Sequence, residues 1–99
     1  MNIQIPREQI EAFCRKWKIR EFALFGSVLR DDFRPDSDVD VLVEFRDDAD
    51  PTYREWLAME DELREMVGGR DVDLVEKATV VNPFRRKHIL EHQRVMYAA

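Results

Sequence analysis

The sequence predicts an α/β (α+β) fold in which helices pack on one face of a small mixed β-sheet. Three observations support this prediction. Short apolar segments suited to strands alternate with longer helical segments, glycine or turn-forming residues separate them, and 44% of the residues are hydrophobic. A chain of 99 residues is expected to form one domain, residues 1–99. The predicted order is helix, strand, short helix, strand, helix, strand, helix.

The N-terminal part of the chain is predicted to form a helix, a strand and a tight turn. After Pro6, apolar residues recur with the helical spacing i, i+3, i+4 and i+7, namely Ile10, Phe13, Cys14 and Trp17. Cys14 lies on that apolar face, so we interpret it as a buried small hydrophobic residue. A strand is expected over residues 22–25, ending at Gly26, and residues 28–30 can start a helical turn.

The clearest strand signal covers residues 39–45 and follows the polar, turn-forming stretch 31–37. Its alternation places three valines and Phe45 on one face of the strand, with Asp40 and Leu42 on the other. An acidic side chain within an otherwise apolar strand requires a specific explanation, because charged residues are seldom buried without a partner.

The C-terminal half is predicted to contain two helices and one strand. Thr52 and Glu55 have the spacing of a capping box, and the helix that follows is expected to end at Gly68-Gly69. Residues 71–75 have the pattern of a third strand. Asn82-Pro83 can begin a last helix, to which we assign four apolar residues: Ile89, Leu90, Met96 and Tyr97.

Composition limits the classes of protein that fit. Sixteen basic and 21 acidic residues give a net charge of −5, which argues against a general nucleic-acid binder. Cys14 is the single cysteine, so a disulfide within the chain is excluded and a reducing cytoplasm is the expected location. The sequence has neither a signal-peptide pattern nor a membrane-spanning apolar segment, so we expect a cytoplasmic protein without a membrane partner.

A pair of aspartates separated by one residue indicates a functional site only where the surrounding sequence supports one. The chain has 11 aspartates, for which random placement predicts about one such pair, and four occur. Asp38 and Asp40 differ from the others because Asp40 lies within a strand signal, which places both side chains on one face, with Cα atoms roughly 6.6 Å apart. Such carboxylates repel one another unless a cation lies between them, and Mg²⁺ prefers oxygen ligands. Asp73 and Asp71 share a face of the third strand, and alternation alone does not choose between them as a further ligand.

The Gly26-Ser27 pair stands where the first strand is expected to end. Glycine permits close approach of a ligand and unusual backbone angles. Ser27 offers a hydroxyl group and a backbone N–H at the start of a helical turn, where anions are favoured. Together with the two aspartates, this turn suggests a phosphate-binding loop beside a metal site.

Gly26-Ser27, followed after ten residues by Asp38-x-Asp40, resembles the signature of the nucleotidyltransferase superfamily that includes DNA polymerase β. The size of the chain resembles the minimal nucleotidyltransferase (MNT) family, whose members are antitoxins paired with HEPN-domain ribonuclease toxins. The resemblance extends over most of the chain, with a closing helix expected to end near Tyr97. The family places its third carboxylate before Leu-Val, which selects Asp73. Arg30 matches a basic residue common in the family, whereas Asp31 stands where relatives often have glycine.

The resemblance implies transfer of AMP from ATP to a hydroxyl group, with release of pyrophosphate. In the MNT antitoxins the acceptor is a tyrosine of the HEPN toxin, with which a hetero-oligomer is expected. Two Mg²⁺ ions would be held by Asp38, Asp40 and Asp73, while Gly26 and Ser27 would bind phosphates. Arg30 is the further residue assigned to nucleotide binding.

Other functions stay open at the level of sequence. The chain could neutralise a toxin by binding alone, or it could modify a small molecule; a templated DNA polymerase is disfavoured by size and charge. His88 and His92 fit the zinc-protease pattern H-x-x-E-H, but only seven residues follow His92 and a third ligand is missing, so we interpret them as a solvated helix face. The basic run of residues 85–87 is interpreted mainly as an exposed charged face, with an anionic neighbour as the alternative.

Overall fold

The computed structural model describes residues 3–99, which form three α-helices, four β-strands and two short 3₁₀ turns. The strands are β1 (Ile19–Phe25), β2 (Val39–Phe45), β3 (Val72–Glu76) and β4 (Arg94–Ala98). The helices are α1 (Arg7–Lys16), α2 (Tyr53–Met66) and α3 (Pro83–His92). The 3₁₀ turns are Gly26–Leu29, directly after β1, and Lys77–Thr79, directly after β3.

The strands form one mixed sheet in the order β3-β2-β1-β4. β1 is antiparallel to both of its neighbours, β2 and β4, whereas β2 and β3 are parallel. Helix α2 makes the crossover that a parallel pair requires. The small mixed sheet predicted from the sequence is therefore present, with β2 and β1 at its centre.

The larger part of the core lies between one sheet face and helices α1 and α2. The valines of β2 and alternate residues of β1 and β3 point toward these helices and are buried. Phe13 of α1 meets Phe22 of β1 edge to face, with ring centroids 6.1 Å apart. Cys14 is 1% exposed, and burial raises the pKa of its thiol to about 12, so its interpretation as a buried hydrophobic residue is confirmed.

The prediction that the helices pack on one face holds for α1 and α2 and is wrong for α3. Helix α3 packs on the opposite face, where Ile89 contacts a smaller cluster that includes Phe25, Leu42 and Val80. The physical reason is that Ala23, Phe25 and Leu42 leave apolar surface on that face, which a helix with even one buried residue can cover.

The predicted closing helix is too long. Helix α3 ends at His92, Gln93 is extended, and the residues up to Ala98 form β4. Met96 and Tyr97, assigned to the helix by sequence, lie in this strand and pack against the larger core. Pairing with β4 satisfies backbone groups of β1 that would otherwise form an open sheet edge, and this gain decides in favour of the strand.

The predicted boundaries of α2 are confirmed. Thr52 accepts a hydrogen bond from the backbone N–H of Glu55, and the Glu55 carboxylate accepts one from the backbone N–H of Thr52. At the other end Gly68 and Gly69 have φ of 73° and 87°, in the region that favours glycine.

Over residues 3–99, every helix is too short or too polar to cross a membrane.

Candidate active site

Three residues form a row across the sheet at the end of β1. Asp40 of β2 lies opposite Phe25 of β1 on one side and opposite Asp73 of β3 on the other. Residues in register on adjacent strands point to the same face, so the two carboxylates are neighbours. Leu42, two residues further along β2, places this row on the sheet face that α3 covers.

Gly26 directly follows Phe25 and allows the chain to turn above Asp40. Its φ is +77°, which L side chains seldom adopt. A Cβ atom at this position would overlap Oδ2 of Asp40 and lie 3.1 Å from its Cγ. Glycine is therefore required here both by the backbone conformation and by the close approach of the Asp40 carboxylate.

The predicted phosphate-binding turn is a 3₁₀ turn, and Ser27 is its second residue. The turn is closed by the backbone N–H of Arg30, which donates to the carbonyl oxygen of Ser27 over 2.9 Å. The side chain of Arg30 is exposed, and its Nε donates to Oδ1 of Asp32 at 3.2 Å. Gly26, Ser27 and Arg30 thus lie on one short segment beside the carboxylate row.

The electrostatics of Asp40 reveal which charges surround it. Partial burial, followed by the negative charges of Asp73 and then Asp38, raises the pKa of Asp40 to about 6. The positive charges of Arg30 and Arg85 act in the opposite direction. The three acids that the sequence selected therefore act on one site, together with two arginines.

Asp71 and Asp73, which alternation could not separate, have different surroundings. Asp73 stands opposite Asp40 in the parallel pair. Asp71 precedes β3, its carbonyl accepts from the backbone N–H of Val39, and its carboxylate lies 3.7 Å from Nε of Arg64. Of these two aspartates, only Asp73 lies in the carboxylate row beside Asp40.

The side chains fit an oxygen-preferring cation in chemistry, although they are not gathered into a finished metal site. Among residues 3–99, acidic, histidine and cysteine side chains do not converge in groups of three that could hold an ion. The repulsion that raises the pKa of Asp40 also opposes closer approach of Asp38 and Asp73. Carboxylate oxygens are the ligands that Mg²⁺ prefers, and a bound cation would offset this repulsion.

The sequence pattern did not predict the contribution of α3 to this site. The three basic residues 85–87 have different surroundings. The positive charge of Arg85 acts on Asp40. Arg86 donates hydrogen bonds to the carbonyls of Lys77 and Val80, whereas Lys87 forms an ion pair with Glu91 at 3.8 Å. The exposed-face interpretation suits Lys87 and is wrong for Arg86, which anchors the second 3₁₀ turn. Arg85 is exposed, and its positive charge acts on the carboxylate row of the same chain.

A cavity of about 470 Å³ lies between the first 3₁₀ turn and α3. Gly26, Leu29 and Arg30 line one side, and the α3 residues that line the other include Arg85, His88 and His92. Both histidines are exposed, as the sequence interpretation required, but they border this cavity as well as solvent. A pocket of this size, with apolar lining and a few polar groups, is typical of small-molecule sites.

The fold and the carboxylate row beside a Gly-Ser turn define the class of protein as a nucleotidyltransferase enzyme. Residues 6–96 match the sequence model of the nucleotidyltransferase domain, and the chain belongs to that family. A relative from Methanocaldococcus jannaschii, named "Putative protein adenylyltransferase", is 34% identical over 88 residues, which cover 89% of this chain and 87% of the relative.

Solved structures agree with this assignment. A structure described as "putative minimal nucleotidyltransferase" has a TM-score of 0.69 and 30% identity, covering 89% of this chain and 86% of the other. A structure described as a toxin-antitoxin with AMP-PNP has a TM-score of 0.74 and 18% identity, covering 96% of this chain and 75% of the other, and it shows likeness of fold. The predicted fold class and the resemblance to minimal nucleotidyltransferases are confirmed.

Proposed function

We propose that this chain transfers AMP from ATP, in the presence of Mg²⁺, to a tyrosine hydroxyl of a HEPN-type ribonuclease toxin, and that it acts as the antitoxin. One observation carries the proposal: Asp40 lies beneath Gly26, in register with Asp73, with a pKa raised to about 6 by burial and by neighbouring carboxylates. Neighbouring carboxylates in a partly buried site destabilise the protein unless a cation, together with an anionic substrate, binds there. Acids with perturbed pKa values concentrate at functional sites.

Two comparisons support the identity of the substrates. The name of the M. jannaschii relative describes a protein adenylyltransferase, and the AMP-PNP structure with the same fold is a toxin-antitoxin assembly. A nucleotide donor and a protein acceptor are therefore the first candidates for this chain, and a hetero-oligomer with the toxin is the expected assembly.

Asp38, Asp40 and Asp73 are the residues proposed to hold Mg²⁺. When bound there, Mg²⁺ would offset the charge of the triphosphate and of the acids together. Gly26 leaves room for phosphate oxygens close to the backbone, and Ser27 offers its hydroxyl and backbone N–H to them. Arg30 lies on the same turn, and its positive charge, which already acts on Asp40, would also attract the phosphates.

In the transfer, the tyrosine oxygen forms a bond to the α-phosphorus while the bond from that phosphorus to the departing pyrophosphate breaks. The phenolic proton must leave the acceptor oxygen. Asp73 is exposed and lies on the edge strand β3, directly opposite Asp40, and we assign it the acceptance of this proton.

The test uses the matched pair Asp73→Asn and Asp71→Asn, two carboxylates on one segment of which one lies in the row. Each variant and the wild type are incubated with Mg²⁺, ATP and the protein encoded beside this chain, and the intact mass of that partner is measured. We expect addition of AMP by the wild type and by Asp71→Asn, and a loss of at least about 100-fold in rate for Asp73→Asn and for Asp40→Asn.

Two outcomes would contradict the proposal. Neutralisation of the toxin without a change in its mass, retained in Asp40→Asn, would establish inhibition by binding alone. Transfer of AMP to a small molecule, with the partner unmodified, would establish a different acceptor.

A further inference from the structure

The cavity beside the carboxylate row has two chemically different ends. Arg30 and Arg85 line it, and both also act on Asp40, so positive charge lies at the end near the acids. His88 and His92 line it from α3. A ligand that fills the cavity must therefore combine an anionic part with a part suited to aromatic rings.

The histidines are held in place by the packing of α3. Ile89, directly after His88, is 5% exposed and fixes this part of the helix to the sheet through the smaller core cluster. The two imidazole rings lie one helical turn apart, with centroids separated by 4.4 Å and planes inclined by 35°. At this separation the rings lie partly face to face, so the pair stacks as one aromatic unit beside the cavity.

One hydrogen bond also fixes the orientation of the second ring. Nδ1 of His92 lies 2.8 Å from the carbonyl oxygen of His88, and since a carbonyl only accepts, Nδ1 must donate its proton. In the neutral ring, Nε2 of His92 is then the nitrogen with an available lone pair. The histidine pair can therefore offer an outer ring face for stacking against a flat ring, and Nε2 of His92 can accept a hydrogen bond in the plane of its own ring.

We infer that His88 and His92 form the wall that binds the nucleobase of the donor nucleotide, and that Arg85 contacts its phosphate chain from α3. The inference rests on the proposed function, because it names the residues of that same site that recognise the nucleoside. It assigns to α3 the recognition of the base, whereas the Gly-Ser turn and the three carboxylates are proposed to bind phosphates and metal.

The experiment separates the base from the phosphates by using two ligands. Binding of ATP and of inorganic tripolyphosphate, each with Mg²⁺, is measured by titration calorimetry for the wild type and for His88→Ala, His92→Ala and Arg85→Ala. Because base stacking on one aromatic side chain is worth a substantial factor in affinity, each histidine variant should bind ATP about 5- to 100-fold more weakly and leave tripolyphosphate binding unchanged. Arg85→Ala should weaken binding of both ligands.

Two further variants serve as controls. Lys87→Ala alters the same helix at a residue that pairs with Glu91 and lies outside the cavity lining, and it should bind both ligands like the wild type. His88→Phe keeps a flat ring and should retain most of the affinity for ATP that His88→Ala loses.

The outcomes distinguish this inference from the proposed function. Unchanged ATP affinity in both histidine variants, or wild-type protein that binds tripolyphosphate as tightly as ATP, would overturn the inference while AMP transfer could still be observed. Wild-type protein that binds neither ligand would overturn both.

Discussion

Gly26→Ala is the most direct test of how the turn and the carboxylate row fit together. Two separate costs are expected. The residue has φ of +77°, and placing a Cβ atom in that conformation costs about 1–2 kcal/mol. The new methyl group would also overlap Oδ2 of Asp40 and lie 3.1 Å from Cγ, so the carboxylate must rotate away, at a further cost of about 1–3 kcal/mol.

Gly68→Ala isolates the first cost. Gly68 has a similar φ of +73°, but a Cβ atom there would have nothing within 4 Å. The free energy of unfolding is measured in urea from the fluorescence of Trp17 and Trp56. We expect Gly68→Ala to lose only the backbone term and to keep wild-type transfer activity, whereas Gly26→Ala loses more stability and nearly all activity.

A double-mutant cycle then isolates the second cost. In an Asp40→Ala background the overlapping oxygen and Cγ are absent, and the remaining Cβ of residue 40 lies at an ordinary 3.5 Å. Gly26→Ala should therefore cost about 1–3 kcal/mol less in that background than in the wild type. Equal costs in the two backgrounds would refute the claim that Gly26 is required by the position of the Asp40 carboxylate.

Two other predictions concern stability. Asp40 has a pKa of about 6 in the folded protein against an ordinary 3.8, so its contribution to stability is present below about pH 4 and is lost as pH rises through 6. Asp40→Asn should therefore be more stable than the wild type at pH 7, by about 1–2 kcal/mol after allowance for partial exposure, with the difference absent at pH 4 in urea titrations. A difference that is the same at both pH values would contradict this reasoning. Thr52→Ala removes the capping hydrogen bond to the Glu55 N–H and should lower the free energy of unfolding by about 1 kcal/mol, while Thr52→Ser should retain it; an equal loss in both variants would contradict the capping role.

Local signals in the sequence were sufficient for the half of the site that lies on the β1–β2 segment. Gly26 follows an apolar run directly, and Asp40 interrupts a valine-rich strand, so both positions depend on residues within a few places of them. Placement of Asp73 opposite Asp40 depends on parallel pairing across a helical crossover, which alternation cannot determine, and the choice over Asp71 required a resemblance.

The contribution of α3 and β4 could not be predicted from local pattern. Only Ile89 of α3 is buried, so its sequence differs little from that of a helix fully exposed to solvent. Arg85, His88 and His92 acquire their surroundings because Ile89 and the hydrogen bonds of Arg86 bring the helix against the carboxylate face. Similarly, Met96 and Tyr97 have apolar character that suits either a helix or a strand, and the free edge of β1 decides between them.

Asp40 is the residue at which the requirements of folding and of chemistry conflict. Its neighbours Val39 and Val41 are fully buried and stabilise the sheet, whereas burial and two nearby acids raise the pKa of Asp40 and disfavour its charged form. The conflict is confined to one face of the sheet: the valines face α1 and α2, whereas Asp40 lies on the opposite face, where the charges of Arg30 and Arg85 act on it. The strand can therefore tolerate the unfavourable charge, because the larger core does not depend on that face, and a bound cation and triphosphate would convert the repulsion into binding energy.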